Sequence, residues 1–231
     1  MKTIGLIGGM SWESTVEYYR IINHHINRRV GKLHSGKIII YSMDFQVIDE
    51  LQHRNQWEKL ALMMVDAAKC LENAGADLVA ICTNTMHRVA DEVENNIKIP
   101  LVHIADSTAR VILDKGFDRV GLLGTKFTMT QDFYKKRLNQ LFGIEVIIPE
   151  KEDMTFVHRV IYDELVRGQL KDASRQRFNE IIKKLAGNGA QGVILGCTEI
   201  PLLVKQEEMK KILFNTTQIH ALAAAELALL P

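Results

Sequence analysis

Cysteine is scarce. The 231 residues contain 3, at Cys70, Cys82 and Cys197, too few and too odd in number for a disulfide framework. Reduced thiols in a cytoplasmic chain fit better, and each thiol then belongs either to packing or to chemistry. An excess of one charge is missing too. Lysines and arginines number 29 against 28 aspartates and glutamates, so no basic field argues for nucleic acid or an anionic membrane surface. No apolar run approaches the roughly 18 residues of a membrane-spanning helix. The opening Met1-Lys2-Thr3-Ile4-Gly5-Leu6-Ile7 carries no cleavable leader pattern after it. What remains, 47% hydrophobic, 25% charged and 6% aromatic, is the composition of an ordinary globular protein, one large domain or two small ones. The expectation is a cytoplasmic protein with a small-molecule partner, without nucleic acid or membrane, and with a homodimer left open.

Strand-length apolar runs alternate with longer stretches of helical period, the pattern of an α/β protein with parallel sheets covered by helices. The expected strands are 4–8, 37–41, 77–81 and 101–104, then 120–124, 145–148 and 192–195. Segments 14–29, 57–73, 131–141 and 175–187 have the length and composition of helices. The series also repeats. Ile4-Gly5-Leu6-Ile7-Gly8 lies on Val120-Gly121-Leu122-Leu123-Gly124, and Gly75-Ala76 lies on Gly189-Ala190, so the offsets are 116 and 114. A near-constant offset argues for duplication into two similar lobes, each with its own sheet, and for a site in the cleft between them. The expected division is 1–98 plus 208–231 for the first lobe and 99–207 for the second, with Ile212-Leu213-Phe214 returning to complete the first.

Ligands of open parallel sheets bind beyond the carboxyl ends of strands, where loops meet helix N-termini. Two such ends carry a cysteine and a threonine: Cys82-Thr83-Asn84-Thr85-Met86-His87 and Gly196-Cys197-Thr198-Glu199-Ile200-Pro201. A helix N-terminus there is expected to lower a thiol pKa. Cys70, inside the helical run Ala67-Ala68-Lys69-Cys70-Leu71, is expected to be a small buried hydrophobe. A pair of thiols on opposite sides of a substrate carbon suits reversible deprotonation, one taking the α-proton as general base and the other returning a proton to the opposite face.

Along essentially its whole length the chain resembles the aspartate/glutamate racemases, through Gly8-Gly9-Met10-Ser11, Asn84-Thr85-Met86-His87 and Gly196-Cys197-Thr198-Glu199. The resemblance implies a cofactor-independent amino-acid racemase, with no pyridoxal phosphate, no metal and two thiols in a cleft. It places Met10, Asn84, Thr85, Thr198 and Glu199 around the bound amino acid, and Gln52 is a further expected contact. The family's first motif is Cys-Asn-Thr, whereas this chain reads Thr83-Asn84-Thr85 with its cysteine one position earlier. When Gly75 is laid on Gly189, Thr83 falls opposite Cys197, and neighbours on a strand point to opposite faces. Thr83 and Cys197 are therefore the expected catalytic pair, with Cys82 packed behind. Acid-specific relatives clamp the side-chain carboxylate with a basic residue near a segment that here reads Ile161-Tyr162-Asp163-Glu164-Leu165. Glu164 in that place would repel a second carboxylate, which leaves aspartate, glutamate and a broader range of amino acids open.

Other readings compete. His87, His103 and His220 fit helix caps or core positions, and no His/Cys/Asp/Glu spacing resembles a metal site. Cys82 to Arg88 has the spacing of a phosphatase loop but lacks its glycines. Gly5-Leu6-Ile7-Gly8-Gly9-Met10 lacks the G-x-G-x-x-G spacing of a dinucleotide loop. A related isomerase or decarboxylase of small diacids, or a two-lobed binding protein without catalysis, stays as the alternative.

Overall fold

Runs of Ile, Leu and Val hemmed by glycine form strands because branched side chains pack well on a pleated surface that is buried on both faces. The computed structural model describes residues 1–231, the side chain of Glu208 excepted. The first unit, Met1–Ile104 with Thr217–Pro231, begins β1 (Ile4–Gly8), α1 (Trp12–Val30), β2 (Ile38–Ser42), α2 (Phe45–His53) and α3 (Trp57–Asn73). It continues through β3 (Leu78–Ile81), α4 (Ala90–Glu94) and β4 (Leu101–Val102). The second unit, Ala105–Thr216, takes almost all of α5 (Ile104–Asp114), then β5 (Arg119–Gly124), α6 (Lys126–Thr130), α7 (Asp132–Phe142) and β6 (Glu145–Ile147). It ends with α8 (Lys151–Asp163), α9 (Asp172–Gly187), β7 (Gly192–Gly196), α10 (Ile200–Leu203) and β8 (Ile212–Asn215). The chain then returns to the first unit as α11 (Thr216–Leu229).

Each unit holds one four-stranded parallel sheet, in the orders β2-β1-β3-β4 and β6-β5-β7-β8. The two orders are the same, strand for strand, which is the duplication seen in the repeat. One expectation is corrected. Residues 212–214 do not complete the first sheet: β8 pairs with β7, Ile212 beside Gly192 and Phe214 beside Ile194, as the counterpart of β4. What the first unit receives from the end of the chain is α11. That helix is apolar almost all round, and its Ala221, Ala224, Ala225 and Ala228 pack against Ile4, Leu6, Leu78, Ala80 and Val102. Alanines let the helix lie close to the sheet. None of the described helices is long and apolar enough to cross a membrane.

Candidate active site

Parallel strands end together, so each sheet delivers neighbouring loops to one edge. In the first unit, Ile7 pairs with Ile81 and the Cys82 amide donates to the Ile7 carbonyl at 2.9 Å, which sets the loop after β1 beside the turn after β3. The β1 loop turns sharply. Gly9 has φ +85°, and a Cβ there would meet the Met43 carbonyl oxygen at 2.2 Å and its nitrogen at 2.5 Å, so only glycine fits. The Gly9 amide donates to Thr15 Oγ1 at 2.9 Å, and Ser14 and Thr15 hydroxyls both donate to the Ser11 carbonyl at 3.0 Å. Met10 and Ser11 are thereby held, buried, at the mouth of the first sheet. Gln52 lies not on a loop but on α2, whose first turn Asp44 caps by accepting from the Gln46 amide. It is buried, and its amide donates to Met86 Sδ at 3.2 Å.

Cys82 and Thr83, just past the end of β3, differ in burial. Cys82 is fully buried in the core cluster with Ile4, Leu6 and Tyr18, and burial drives its pKa far up. Thr83 alone of residues 81–87 is partly exposed. Asn84 and Thr85 follow, buried, into a single 3-10 turn over Thr85–Val89. His87 ties that turn down. Its Nδ1 lies 2.8 Å from the Thr83 carbonyl and its Nε2 accepts from the Ile104 amide at 3.1 Å. A carbonyl only accepts and an amide only donates, so the proton sits on Nδ1. Behind it His220 donates from Nε2 to the Val102 carbonyl at 2.6 Å and accepts from the Tyr18 hydroxyl at 2.8 Å. Burial lowers the His220 pKa to about 4. Cys70, expected in the core, is instead exposed on α3.

In the second unit Gly124 pairs with Gly196, placing Thr125 beside Cys197 at the sheet edge. Thr125 caps α6, its hydroxyl 3.3 Å from the Thr128 amide. Cys197, Thr198 and Glu199 are all buried. They converge on one oxygen: the Cys197 thiol donates to Glu199 Oε2 at 2.9 Å and the Thr198 hydroxyl at 3.0 Å. The thiol pKa is raised well above its ordinary value, first by burial and then by the charge and hydrogen bond of Glu199. This corrects the expectation of a thiol activated by a helix N-terminus. The backbone amides there do pull the pKa down, but α10 is one turn long and a carboxylate stands closer. Glu164 is engaged elsewhere. Its two oxygens accept from Lys171 Nζ at 3.3 Å and Ser174 Oγ at 2.7 Å, clasping the end of α8 to the start of α9. Lys171 offsets the charge on which the repulsion argument relied.

Thr125 was passed over in the sequence, although it directly follows Gly124, the strand-ending glycine that repeats Gly8. No three His, Cys, Asp or Glu side chains come together as a metal site among the described residues. The polar and sulfur side chains beyond the strand ends are Met10, Thr83, Asn84 and Thr85 in the first unit and Thr125, Cys197, Thr198 and Glu199 in the second.

Known proteins share both the sequence and the fold. The family model for Asp/Glu/Hydantoin racemase matches residues 7–224. A candidate Asp/Glu racemase from Yersinia pestis is 51% identical, with 100% of each chain covered and a TM-score of 0.93. An aspartate racemase homologue from Pyrococcus horikoshii OT3 is 41% identical, with 99% of each chain covered and a TM-score of 0.84. The broad specificity amino-acid racemase RacX of Bacillus subtilis (strain 168) is 26% identical over 140 residues, which are 58% of this chain and 60% of that protein. With a match that runs from β1 into α11, the chain belongs to the Asp/Glu/Hydantoin racemase family.

Proposed function

We propose that this protein is an amino-acid racemase that moves the α-proton without a cofactor, using Cys197 and Thr83 as its two acid–base groups. The observation that carries the reading is the Cys197 thiol held on the Glu199 carboxylate at 2.9 Å, at the end of a strand in a chain of this family. A buried thiol cannot ionise alone, but a carboxylate in contact can take its proton. In this reading Glu199 accepts the Sγ proton and the thiolate takes the α-proton from the substrate, leaving a carbanion. The Thr83 hydroxyl then protonates the opposite face. A carbanion is a far stronger base than an alkoxide, so this delivery runs downhill. Water returns a proton to Thr83 and removes the one on Glu199, so protons and charge balance over the cycle.

The carbanion forms only if the substrate carboxylate is stabilised. Asn84, Thr85 and Thr198, polar and buried at the two sheet edges, are assigned to that task, with Met10 and Gln52 bounding the substrate. Glu164, bonded to Lys171 and Ser174, is not among these contacts. The names of the relatives run from aspartate to broad specificity, so the test is a panel. Acidic and neutral amino acids are incubated in deuterated water, with the α-proton followed by NMR and the mirror-image form by chiral chromatography. Loss of the α-signal together with appearance of the other enantiomer is expected. Amino-acid-dependent stabilisation without exchange would point to a binding protein, and release of carbon dioxide to a decarboxylase; either refutes the proposal.

A further inference from the structure

We infer that His87 is a positioning residue for Thr83, holding the backbone that aims the Thr83 hydroxyl at the substrate; the inference rests on Thr83 as the second acid–base group. The two members of that pair are held in different ways. Cys197 is fixed through its own sulfur, 2.9 Å from Glu199 Oε2. Among the described residues the Thr83 hydroxyl has no hydrogen-bond partner, and Thr83 is tied by its peptide groups alone. Its side chain is β-branched, so χ1 has little freedom and the hydroxyl points where the backbone sends it.

That backbone lies outside the sheet. β3 pairs with β1 as far as Ile81 and with β4 only as far as Ala80, and one further bond runs from the Cys82 amide to the Ile7 carbonyl at 2.9 Å. The Thr83 amide turns back onto the Ile81 carbonyl at 2.8 Å, a three-residue turn that leaves the Thr83 carbonyl with no strand to donate to it. His87 Nδ1 supplies the donor at 2.8 Å, while Nε2 accepts from the Ile104 amide at 3.1 Å. Ile104 is fully buried at the first position of α5, where a helix leaves its amides without internal partners. One rigid ring thus refers the Thr83 peptide to a buried helix end. Histidine suits the task because its neutral ring carries one donor and one acceptor in fixed geometry. The ring has little room to swing. It is 3% exposed and packs edge-on, with centroids 4.5 Å from the His103 ring and 5.6 Å from the His220 ring. His220 is itself held between Tyr18 and Val102. Thr83, His87, Ile104 and these neighbours all belong to the first unit.

Two conservative variants divide the work of the ring. The side-chain amide in His87→Asn reaches the place of Nδ1 and keeps the donor to Thr83, whereas that in His87→Gln reaches the place of Nε2 and keeps the acceptor for Ile104. Each variant loses one hydrogen bond, so a purely structural role predicts similar losses from both. The acidic and neutral amino acids of the panel are followed in deuterated water, starting from each enantiomer. His87→Gln should lower inversion relative to exchange by about tenfold or more, the scale of a misplaced catalytic group, and His87→Asn should stay near the parent. Exchange into the enantiomer that faces Cys197 should be spared in both. In a Thr83→Ala background His87→Gln should add nothing to the loss of inversion, because it acts through Thr83. The parent supplies a check that depends on no variant: NMR of protein carrying isotope-labelled histidine should find the His87 ring neutral with its proton on Nδ1. A proton on Nε2, equal loss of inversion in His87→Asn and His87→Gln, loss of exchange along with inversion, or no loss in His87→Gln would each overturn this inference and leave the racemase reading intact. A parent that neither exchanges nor inverts would overturn both.

Discussion

Replacing Glu199 by glutamine removes a charge while keeping the shape of the side chain, and it tests whether the carboxylate governs the Cys197 proton. Oε2 of Glu199 accepts from both the Cys197 thiol and the Thr198 hydroxyl, at 2.9 and 3.0 Å. A hydrogen bond to a charged group contributes about 1.5–3 kcal/mol, which corresponds to about tenfold to a hundredfold in the thiol–thiolate equilibrium. The carboxylate favours the protonated thiol through both its charge and its hydrogen bond. Glu199→Gln should therefore shift the equilibrium toward thiolate. In a Cys70→Ser background the alkylation of Cys197 by iodoacetamide, at a pH where the thiol is still mostly protonated, should accelerate by about that factor. Racemisation should move the other way, by about tenfold or more, because the group that receives the Sγ proton is gone. Alkylation that stays constant or slows in Glu199→Gln would refute the assignment of the proton to sulfur. Undiminished racemisation would show that Glu199 is not its acceptor.

Thr83→Ala should suppress inversion while sparing solvent-deuterium exchange into the enantiomer that faces Cys197, and Cys82→Ser should keep most activity because Cys82 lies in the core. Equal losses of exchange and inversion in Thr83→Ala would remove Thr83 from the proton path. For the parent, kcat/KM must be equal in the two directions, since enantiomers have equal free energy, so any apparent preference must appear in kcat and KM separately. Acid should destabilise the fold through His220. Its pKa falls from 6.5 to about 4 on burial, so the unfolded chain binds more protons between those values. Stability should drop by about 3 kcal/mol as the pH falls through that window; urea titrations across it should show the loss, and His220→Gln should flatten it. Gly9→Ala should lower stability by about 2 kcal/mol or more, measured by denaturant unfolding, because its Cβ would enter the Met43 backbone; a melting curve like that of the parent would contradict the close approach.

The sheets were legible in the sequence because their strands are buried on both faces and therefore written as unbroken apolar runs, from Ile4–Gly8 to Gly192–Gly196. Long helices were legible from their polar outer faces, as in Trp57–Asn73. The expected burial of Cys82 in the core is also what the fold shows, while Thr83, next to it past the end of β3, is partly exposed. By contrast, β8 was misplaced because its likeness to β4 is hidden: the offset shrinks to 111 from Leu101 to Ile212, and neither strand carries the glycines that marked the others. The destination of α11 was illegible for a different reason. A helix of alanine and leucine has no polar stripe to say which side faces a sheet. At the site, Thr198-Glu199 before Pro201 looks like a helix cap, and only the folded turn brings the Glu199 carboxylate onto the thiol. The sign of the Cys197 shift was lost with it.

The return of α11 sets an order on synthesis. The second unit is contiguous, Ala105–Thr216, and every strand of its sheet has been synthesised before α11 is made. The first unit, begun earlier, waits longer. Its sheet lacks the cover of Ala221, Ala224, Ala225 and Ala228, and the ring of His220 that joins Tyr18 to Val102, until the final residues emerge. A chain truncated just after residue 216 thus holds every residue of the second unit but leaves the first with an uncovered apolar sheet, the kind of surface that chaperones bind and that aggregates when left exposed.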